Sequence, residues 1–404
     1  MKIFYSILLI SVLFLTLLSA NKNDQYVLLI SFDGFRADYI DWYDTPNFDQ
    51  IKLNGVKAKS LKPVFPTKTF PNHYSIATGM YIENHGLIGN NFFDEKLKQF
   101  YTLKDRNKVE DERFYGGEPV WATAEKQGIK TASYFWAGSE AKAGGAQPSI
   151  WKKYNERLPF EARIDSVINW FKMPEPIRPR LVLLYFHEPD KTGHRYGPRS
   201  DKTKSMVEKM DTLLGNIIKQ IKTLDIYNRL NIIILSDHGM AETSNKKIIP
   251  INKYINTKKI KTEGSGPYAL LYSDDKNELN KAFNSLKTID KINIYKKKDI
   301  PKYWHFSNHY RIKDLLIVAK EGWTILESDH GLSSYFSKGN HGYDNNLESM
   351  AAIFFAHGPS FKKNYDAPII NSIDIYPLIA HILNIKSYHE IDGKLENVIN
   401  ILAE

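Results

Sequence analysis

The sequence contains no cysteine among its 404 residues. This absence excludes disulfide bonds, thiolate metal sites and a lipid anchor on a cysteine. Because exported animal proteins commonly carry disulfides, an exported chain without cysteine is more typical of a bacterial envelope. Internal repeats, low-complexity tracts and interdomain linkers are also missing, so we expect residues 21–404 to form a single domain.

Long hydrophobic runs are absent except at the N-terminus. Residues 1–20 place one lysine ahead of a mostly apolar run and end in Ser19 and Ala20, which is the layout of a secretory signal peptide. The run is short for a membrane span, which needs roughly 20 residues. We predict that the protein is exported and that cleavage leaves no stable membrane span. The large Leu18 near the cleavage position leaves an uncleaved anchor as an alternative.

The chain also has no excess of acidic residues, since its formal net charge is +9. The lysines are scattered, with local clusters in residues 251–264 and 294–304, which is typical of a solvated surface. We therefore predict no specific nucleic-acid partner. The sequence does not indicate an oligomeric state.

Apolar runs that alternate with helix-like segments are what the chain does contain. DQYVLLISFDGFR, RPRLVLLYFHEPD and RLNIIILSDHGM each resemble a buried parallel strand that ends in a polar turn. This alternation predicts an α/β fold with a mostly parallel central sheet and helices on both faces. Residues 265–325 have a different texture, which predicts a small α+β insert within the domain.

Acidic and imidazole side chains follow the three predicted strands, and a further histidine lies in KGNHGYD. Ligands of such sheets bind beyond the carboxyl ends of the strands, so we expect these side chains to converge. Three carboxylates and three imidazoles suit two Zn²⁺ ions with three protein ligands each and open positions for substrate. The six candidates are Asp33, Asp190, His194, Asp237, His238 and His341.

The spacing of these candidates is informative. Asp190 and His194 are four residues apart across a glycine-containing turn, so both can face one ion. The adjacent Asp237 and His238 can reach one ion only where a strand ends and the chain turns. A second SDHG copy at residues 328–331 follows no long β-branched run, and we interpret it as a loop pair.

The segment PTKTFPNHYS, residues 66–75, places Thr69 just before a predicted helix whose first turn is set by Pro71. Backbone N–H groups and the helix dipole favour an anion at such a position. The hydroxyl is either an ordinary N-cap or a nucleophile whose pKa a metal ion lowers. The two interpretations differ in whether metal ligands lie close to Thr69.

Six motifs in order resemble the nucleotide pyrophosphatase/phosphodiesterase family of the alkaline phosphatase superfamily: SFDGFR, PTKTFPNHYS, TGMYIENHGLIGNNFFD, EPDKTGH, SDHGM and GNHGYD. The resemblance spans about residues 25–385. It implies an alkaline phosphatase-like fold and a type I phosphodiesterase, a hydrolase that releases nucleoside 5'-monophosphates. Thr69 would be the nucleophile and would form a phosphothreonine intermediate.

The same resemblance implies the remaining roles. One zinc ion would be held by Asp33, Asp237, His238 and the Thr69 oxygen, and the other by Asp190, His194 and His341.

The substrate contacts implied by the resemblance involve one amide and several aromatic side chains. Asn90 would hydrogen-bond a phosphate oxygen beside the backbone N–H of Phe70. A nucleobase would stack between Phe70 and Tyr154, with Trp136 lining the same pocket. Lys108 lies near the position of a pocket lysine that some relatives carry.

Three alternatives remain at this point. The same metal site could act on choline or glycerol phosphodiester lipids. A phosphomonoesterase is disfavoured because no arginine is placed to clamp a terminal phosphate. An inactive binding module is disfavoured because every candidate ligand and the nucleophile are present.

Overall fold

The computed structural model describes residues 25–328 and 336–403. Its centre is an eight-stranded sheet whose paired strands are parallel, apart from Phe354–His357, which runs antiparallel to both neighbours. The order across the sheet is Tyr365–Ala367, Val56–Ala58, Phe354–His357, Leu230–Leu235, Tyr26–Phe32, Leu181–Phe186, Thr131–Tyr134 and Ile150–Lys152. The predicted mostly parallel sheet is confirmed.

Helices cover both faces of this sheet. Successive strand residues point to opposite faces, so Val27 and Leu29 join one hydrophobic cluster while Leu28 and Ile30 join another. The predicted two-sided arrangement is therefore confirmed. The α-helices are Tyr39–Trp42, Pro46–Leu53, Thr69–Thr78, Ile82–His85, Arg106–Val109, Val120–Lys126, Phe160–Phe171, Asp190–Tyr196, Asp201–Ile221, Lys276–Leu286 and Ile375–Leu383.

The long helix Asp201–Ile221 shows how the sequence specifies these elements. Ser200 caps its start, because the side-chain oxygen accepts a hydrogen bond from the Thr203 N–H. Its buried residues recur at intervals of three or four, which places Val207, Met210, Leu214 and others on the face that packs against the sheet.

A second sheet, of four strands, lies near residues 265–325, where the sequence predicts an α+β insert. In spatial order its strands are Lys261–Glu263, Tyr268–Tyr272, Leu315–Ala319 and Ile292–Lys296, and all neighbours are antiparallel. Along the chain, the helix Lys276–Leu286 connects the strand Tyr268–Tyr272 to the strand Ile292–Lys296. The strand Lys261–Glu263 begins before the expected boundary at residue 265. The remaining short strands are Leu61–Lys62, Asn91–Asp94, Gln99–Thr102, Ala241–Glu242, Ile248–Pro250, Thr324–Leu326, Gly339–Asn340 and Ile370–Asn371.

Two sequence-based interpretations fall outside the described residues. They are the signal peptide at residues 1–20 and the loop pair Asp329 and His330. Among the residues that are described, none of the helices has the length and apolar character needed to cross a membrane.

Candidate active site

Three neighbouring parallel strands deliver carboxylates to one edge of the central sheet. Asp33 directly follows the strand Tyr26–Phe32, and its N–H donates to Phe186 O at 2.9 Å. The Asp190 N–H donates back to Asp33 O at 2.9 Å, so the two strand ends are bound to each other. Gly34 makes this approach possible, because a Cβ there would lie 2.7 Å from Asp190 Cα.

The first candidate metal group is formed by Asp33, Asp237 and His238, all buried, whose ligand atoms lie within 4.8 Å of one another. His238 Nε2 lies 2.9 Å from Asp237 Oδ2 and 3.5 Å from Asp33 Oδ1. Nδ1 of His238 is 2.8 Å from Gly239 O, a carbonyl that only accepts. Nδ1 therefore donates to this carbonyl, and Nε2 is the ring nitrogen that faces the two carboxylates.

The second group is formed by Asp190, His194 and His341, whose ligand atoms also lie within 4.8 Å of one another. Both histidines lie with Nε2 3.4 Å from Asp190 Oδ1. Their Nδ1 atoms donate to backbone carbonyls, His194 to Gly339 O and His341 to Thr67 O, each at 2.7 Å. Both imidazoles thus present Nε2 to the same point, with the two Nε2 atoms 3.1 Å apart, as metal-binding histidines do.

One detail of this group differs from the sequence interpretation. Asp190 and His194 lie within the helix Asp190–Tyr196 rather than across a turn. Residues four apart share one helix face, so the helix brings the two side chains together as the expected turn would have done.

The electrostatics of both groups fit a cation. Burial, and then repulsion from Asp237 and Asp190, raises the pKa of Asp33 well above its usual value. Burial also holds the pKa of His341 well below its usual range, which favours the neutral imidazole that ligates metals. Asp33 Oδ1 and Asp190 Oδ1 are buried without a hydrogen bond from any described residue. Divalent cations would satisfy both oxygens and relieve the repulsion.

Thr69 is the first residue of the helix Thr69–Thr78, and its hydroxyl does not cap that helix. The N-cap position is occupied by Lys68, so the N-cap interpretation of Thr69 is wrong. Instead, Thr69 Oγ1 lies 3.3 Å from His238 Nε2. The helix begins two residues earlier than Pro71 suggested, which points the hydroxyl at the candidate metal groups.

Asn90 lies beside this helix start, where its Oδ1 accepts a hydrogen bond of 3.1 Å from the Phe70 N–H. The amide and the backbone N–H that were expected to share a phosphate oxygen are therefore neighbours and bind each other in this structure.

A cavity of about 400 Å³ opens next to Thr69 and is lined by the predicted aromatic residues Phe70, Trp136 and Tyr154. Asp33, Thr69, Asp190 and His194 also line it, so the aromatic cavity is continuous with both metal groups. Trp136 is buried, and its Nε1–H donates to His73 O at 3.0 Å, whereas Phe70 and Tyr154 are partly exposed.

Two residues that sequence reasoning missed support the first metal group. The Tyr185 hydroxyl donates to Asp33 Oδ2 at 2.6 Å, and His73 Nδ1 lies 3.3 Å from Asp237 Oδ2. His73 also bonds Thr69 O at 2.9 Å. Its position four residues after Thr69 on one helix face was the available signal.

The aromatic cavity is lined by an arginine rather than by Lys108. Arg106 lines the cavity and forms an ion pair with Glu140, which lines it too. Lys108 is not among the lining residues, and its Nζ donates to Gln99 at 2.8 Å.

Comparisons with known proteins agree with this arrangement. The family model for type I phosphodiesterase / nucleotide pyrophosphatase matches residues 27–344. A venom phosphodiesterase of Naja atra is 39% identical over 370 residues, which are 89% of this chain and 44% of the relative. Human ectonucleotide pyrophosphatase/phosphodiesterase family member 5 is 37% identical over 388 residues, 96% of this chain and 80% of the relative. The chain thus spans less than half the length of the venom enzyme.

Solved structures show the same likeness. An inactive threonine-to-alanine variant of murine family member 5, in complex with AMP, superposes with a TM-score of 0.89 at 36% identity. The match covers 94% of this chain and 100% of that one.

Proposed function

This chain belongs to the type I phosphodiesterase / nucleotide pyrophosphatase family of the alkaline phosphatase superfamily, a family of hydrolases, and we propose that it cleaves nucleotide phosphodiester and pyrophosphate bonds to nucleoside 5'-monophosphates. One observation carries the proposal: the Thr69 hydroxyl lies 3.3 Å from His238 of the first ligand group, and Thr69 lines the same aromatic cavity as Asp190 and His194 of the second.

Two Zn²⁺ ions are the proposed cofactors. The donor set of carboxylates and imidazoles suits zinc, with Asp33, Asp237 and His238 holding one ion and Asp190, His194 and His341 the other. Bound there, the ions would lower the pKa of the Thr69 hydroxyl and neutralise negative charge on the substrate phosphate.

The residues of the chain supply the nucleophile and the orientation. Thr69 Oγ1 attacks phosphorus in line, loses its proton to solvent and forms a phosphothreonine while the leaving oxygen departs. The Asn90 amide and the Phe70 N–H, which bind each other at 3.1 Å, turn to a non-bridging phosphate oxygen. Water then cleaves the phosphothreonine on the opposite side and restores the threonine.

The cavity supports a nucleotide substrate. Phe70 and Tyr154 present aromatic rings to one space, where a base would stack, and such stacking is worth about 1–3 kcal/mol per base. Relatives of this chain include a protein named bis(5'-adenosyl)-triphosphatase in Xenopus laevis.

A phosphodiester lipid with a choline headgroup is the competing substrate, because aromatic rings also bind quaternary ammonium groups. Turnover of the p-nitrophenyl ester of thymidine 5'-monophosphate and of p-nitrophenyl phosphorylcholine separates the two. We expect a higher kcat/KM for the thymidine ester, and its loss on chelation with recovery on zinc. A preference for the choline ester would reverse the assignment.

We also propose that residues 21–404 act as one catalytic domain that is exported, with the small sheet around residues 265–325 as an insert. Relatives named as venom enzymes and ectonucleotide pyrophosphatases support export. A bacterial envelope is the proposed location, because the chain lacks cysteine. Fractionation of the native host, with N-terminal sequencing of the recovered protein, tests location and cleavage together.

A further inference from the structure

Arg163 is a fully buried arginine that makes no ion pair with any described residue. It lies on the helix Phe160–Phe171 behind the aromatic cavity. Its guanidinium donates to three backbone carbonyls, those of Tyr185 at 3.0 Å, Leu158 at 3.2 Å and Glu156 at 3.4 Å. A buried cation is costly unless its donors are satisfied, and both Nη atoms of this one bind the backbone rather than an anion, while its buried Nε has no hydrogen-bond partner among the described residues.

Arg163 lies between the wall of the cavity and the residues Phe160 and Phe186, which do not line it. The guanidinium carbon lies 5.0 Å from the ring centre of Phe135, and Phe135 packs edge-to-face on Tyr154 at 5.1 Å. Phe135, Tyr154 and Glu156 line the cavity, and so does Tyr185 on the strand Leu181–Phe186. Arg163 itself is not among the lining residues.

We propose that Arg163 is a positioning residue for substrate selection, which holds the loop of residues 153–159 so that the Tyr154 ring faces Phe70 across the cavity. The inference rests on the proposed function, because it assumes that a nucleobase stacks on Tyr154. Arg163 acts through the loop and does not touch the substrate.

The loop depends on Arg163 more than the metal groups do. The strand Leu181–Phe186, which carries Tyr185, is paired on both sides by parallel neighbours and keeps its register without the arginine. Residues 153–159 belong to no strand or helix. Their other attachments include the Tyr154 N–H on Glu140 Oε1 at 3.2 Å and an exposed ion pair between Glu156 and Lys191.

The test compares two esters that share a leaving group. One is the p-nitrophenyl ester of thymidine 5'-monophosphate, and the other is methyl p-nitrophenyl phosphate, which has no base. We expect Arg163→Met to lower kcat/KM for the thymidine ester about tenfold, chiefly through KM, and to change the methyl ester by less than about twofold. In a Tyr154→Ala background, Arg163→Met should lower kcat/KM no further.

Arg178→Met is the matched control. Arg178 is also buried and precedes the strand Leu181–Phe186; its Nε–H donates to Met173 O at 2.8 Å, and its Nη2 pairs with the exposed Asp225 at 3.2 Å. This substitution should reduce the stability of the protein and leave the ratio of kcat/KM for the two esters unchanged. If Arg163→Met does not fold, Arg163→Lys replaces it, and we expect a smaller change of the ratio in the same direction.

Each outcome decides something. If Arg163→Met leaves the ratio of kcat/KM for the two esters unchanged, whether or not both values fall, the positioning role is overturned. Failure of both Arg163 variants to fold would overturn it too, because a positioning residue must be dispensable for folding. If Tyr154→Ala itself has no effect on the thymidine ester, the nucleotide assignment fails instead.

Discussion

Thr69 Oγ1 lies 3.3 Å from His238 Nε2, between a helix start and a buried group of two carboxylates and an imidazole. A hydroxyl at a helix start normally caps the helix. Here Lys68 occupies the cap position, which leaves the hydroxyl available for chemistry.

Thr69→Ala should abolish turnover of the thymidine ester, a loss of at least about a thousandfold, because no other hydroxyl is proposed as nucleophile. Metal content should remain at or near the wild-type value. Thr67→Ala is the control from the same turn: the Thr67 hydroxyl accepts from the Gly342 N–H at 2.7 Å, so its loss should cost about 1 kcal/mol of stability and leave an active enzyme. Full turnover by Thr69→Ala would refute the nucleophile assignment.

Asn90→Ala should lower kcat about 100-fold with a smaller change in KM, because a donor to the phosphate oxygen acts mainly in the transition state. The neighbouring Asn91 is exposed and accepts from the Thr102 hydroxyl at 2.6 Å. Asn91→Ala should therefore keep wild-type kcat. Steady-state kinetics on both variants is the measurement, and equal effects of the two substitutions would count against the role of Asn90.

Arg311 joins the region of the small sheet to the hairpin that follows Asn90. Its Nε–H donates to Asp94 Oδ2 at 2.6 Å, and both side chains are buried. Arg311→Met should lower the free energy of unfolding by about 3 kcal/mol, because it leaves the buried Asp94 carboxylate without a cation, bonded only to the Tyr310 hydroxyl and the N–H groups of Lys96 and Leu97. Arg113→Met, which removes the exposed pair with Asp111, should leave the urea midpoint unchanged. Similar midpoints for the two variants would contradict the anchoring role.

His85 should make the fold sensitive to acid. Burial lowers the pKa of His85 to about 3, with smaller contributions from His309 and Arg311. In the unfolded chain His85 binds a proton below about pH 6.5, whereas in the folded chain it stays neutral. Keeping His85 buried therefore costs no stability above pH 6.5, and the free energy of unfolding decreases as the pH falls from 6.5 toward 3.

Urea unfolding of the metal-free protein at pH 7.5 and pH 5 measures this effect. From His85 alone, we expect the free energy of unfolding to fall by about 2 kcal/mol between the two. His85→Gln should reduce the pH dependence by that amount. An identical pH dependence in wild type and variant would show that His85 does not contribute.

The sequence predicted what depends on strand order and ligand chemistry. Asp33, Asp190 and Asp237 could be placed together because parallel strands end at a common edge. The glycine at position 193 led us to expect a turn at residues 190–196, because glycine disfavours helix, and the helix forms there nonetheless.

Contacts between distant elements could not be predicted. Tyr185 reaches Asp33 only because their strands pair in one register, and Arg163 lies behind the cavity only because its helix packs there. Neither residue belongs to a sequence motif, and the contacts of both depend on how distant segments pack in the fold.

The central claim is that two metal ions meet at the Thr69 hydroxyl. Anomalous diffraction at the zinc absorption edge, on crystals of the zinc-loaded protein, tests it most directly. We expect two peaks, one among Asp33, Asp237 and His238 and one among Asp190, His194 and His341, with Thr69 Oγ1 bonded to the first. A single peak, no peak, or two peaks with the Thr69 hydroxyl beyond bonding distance would contradict the account.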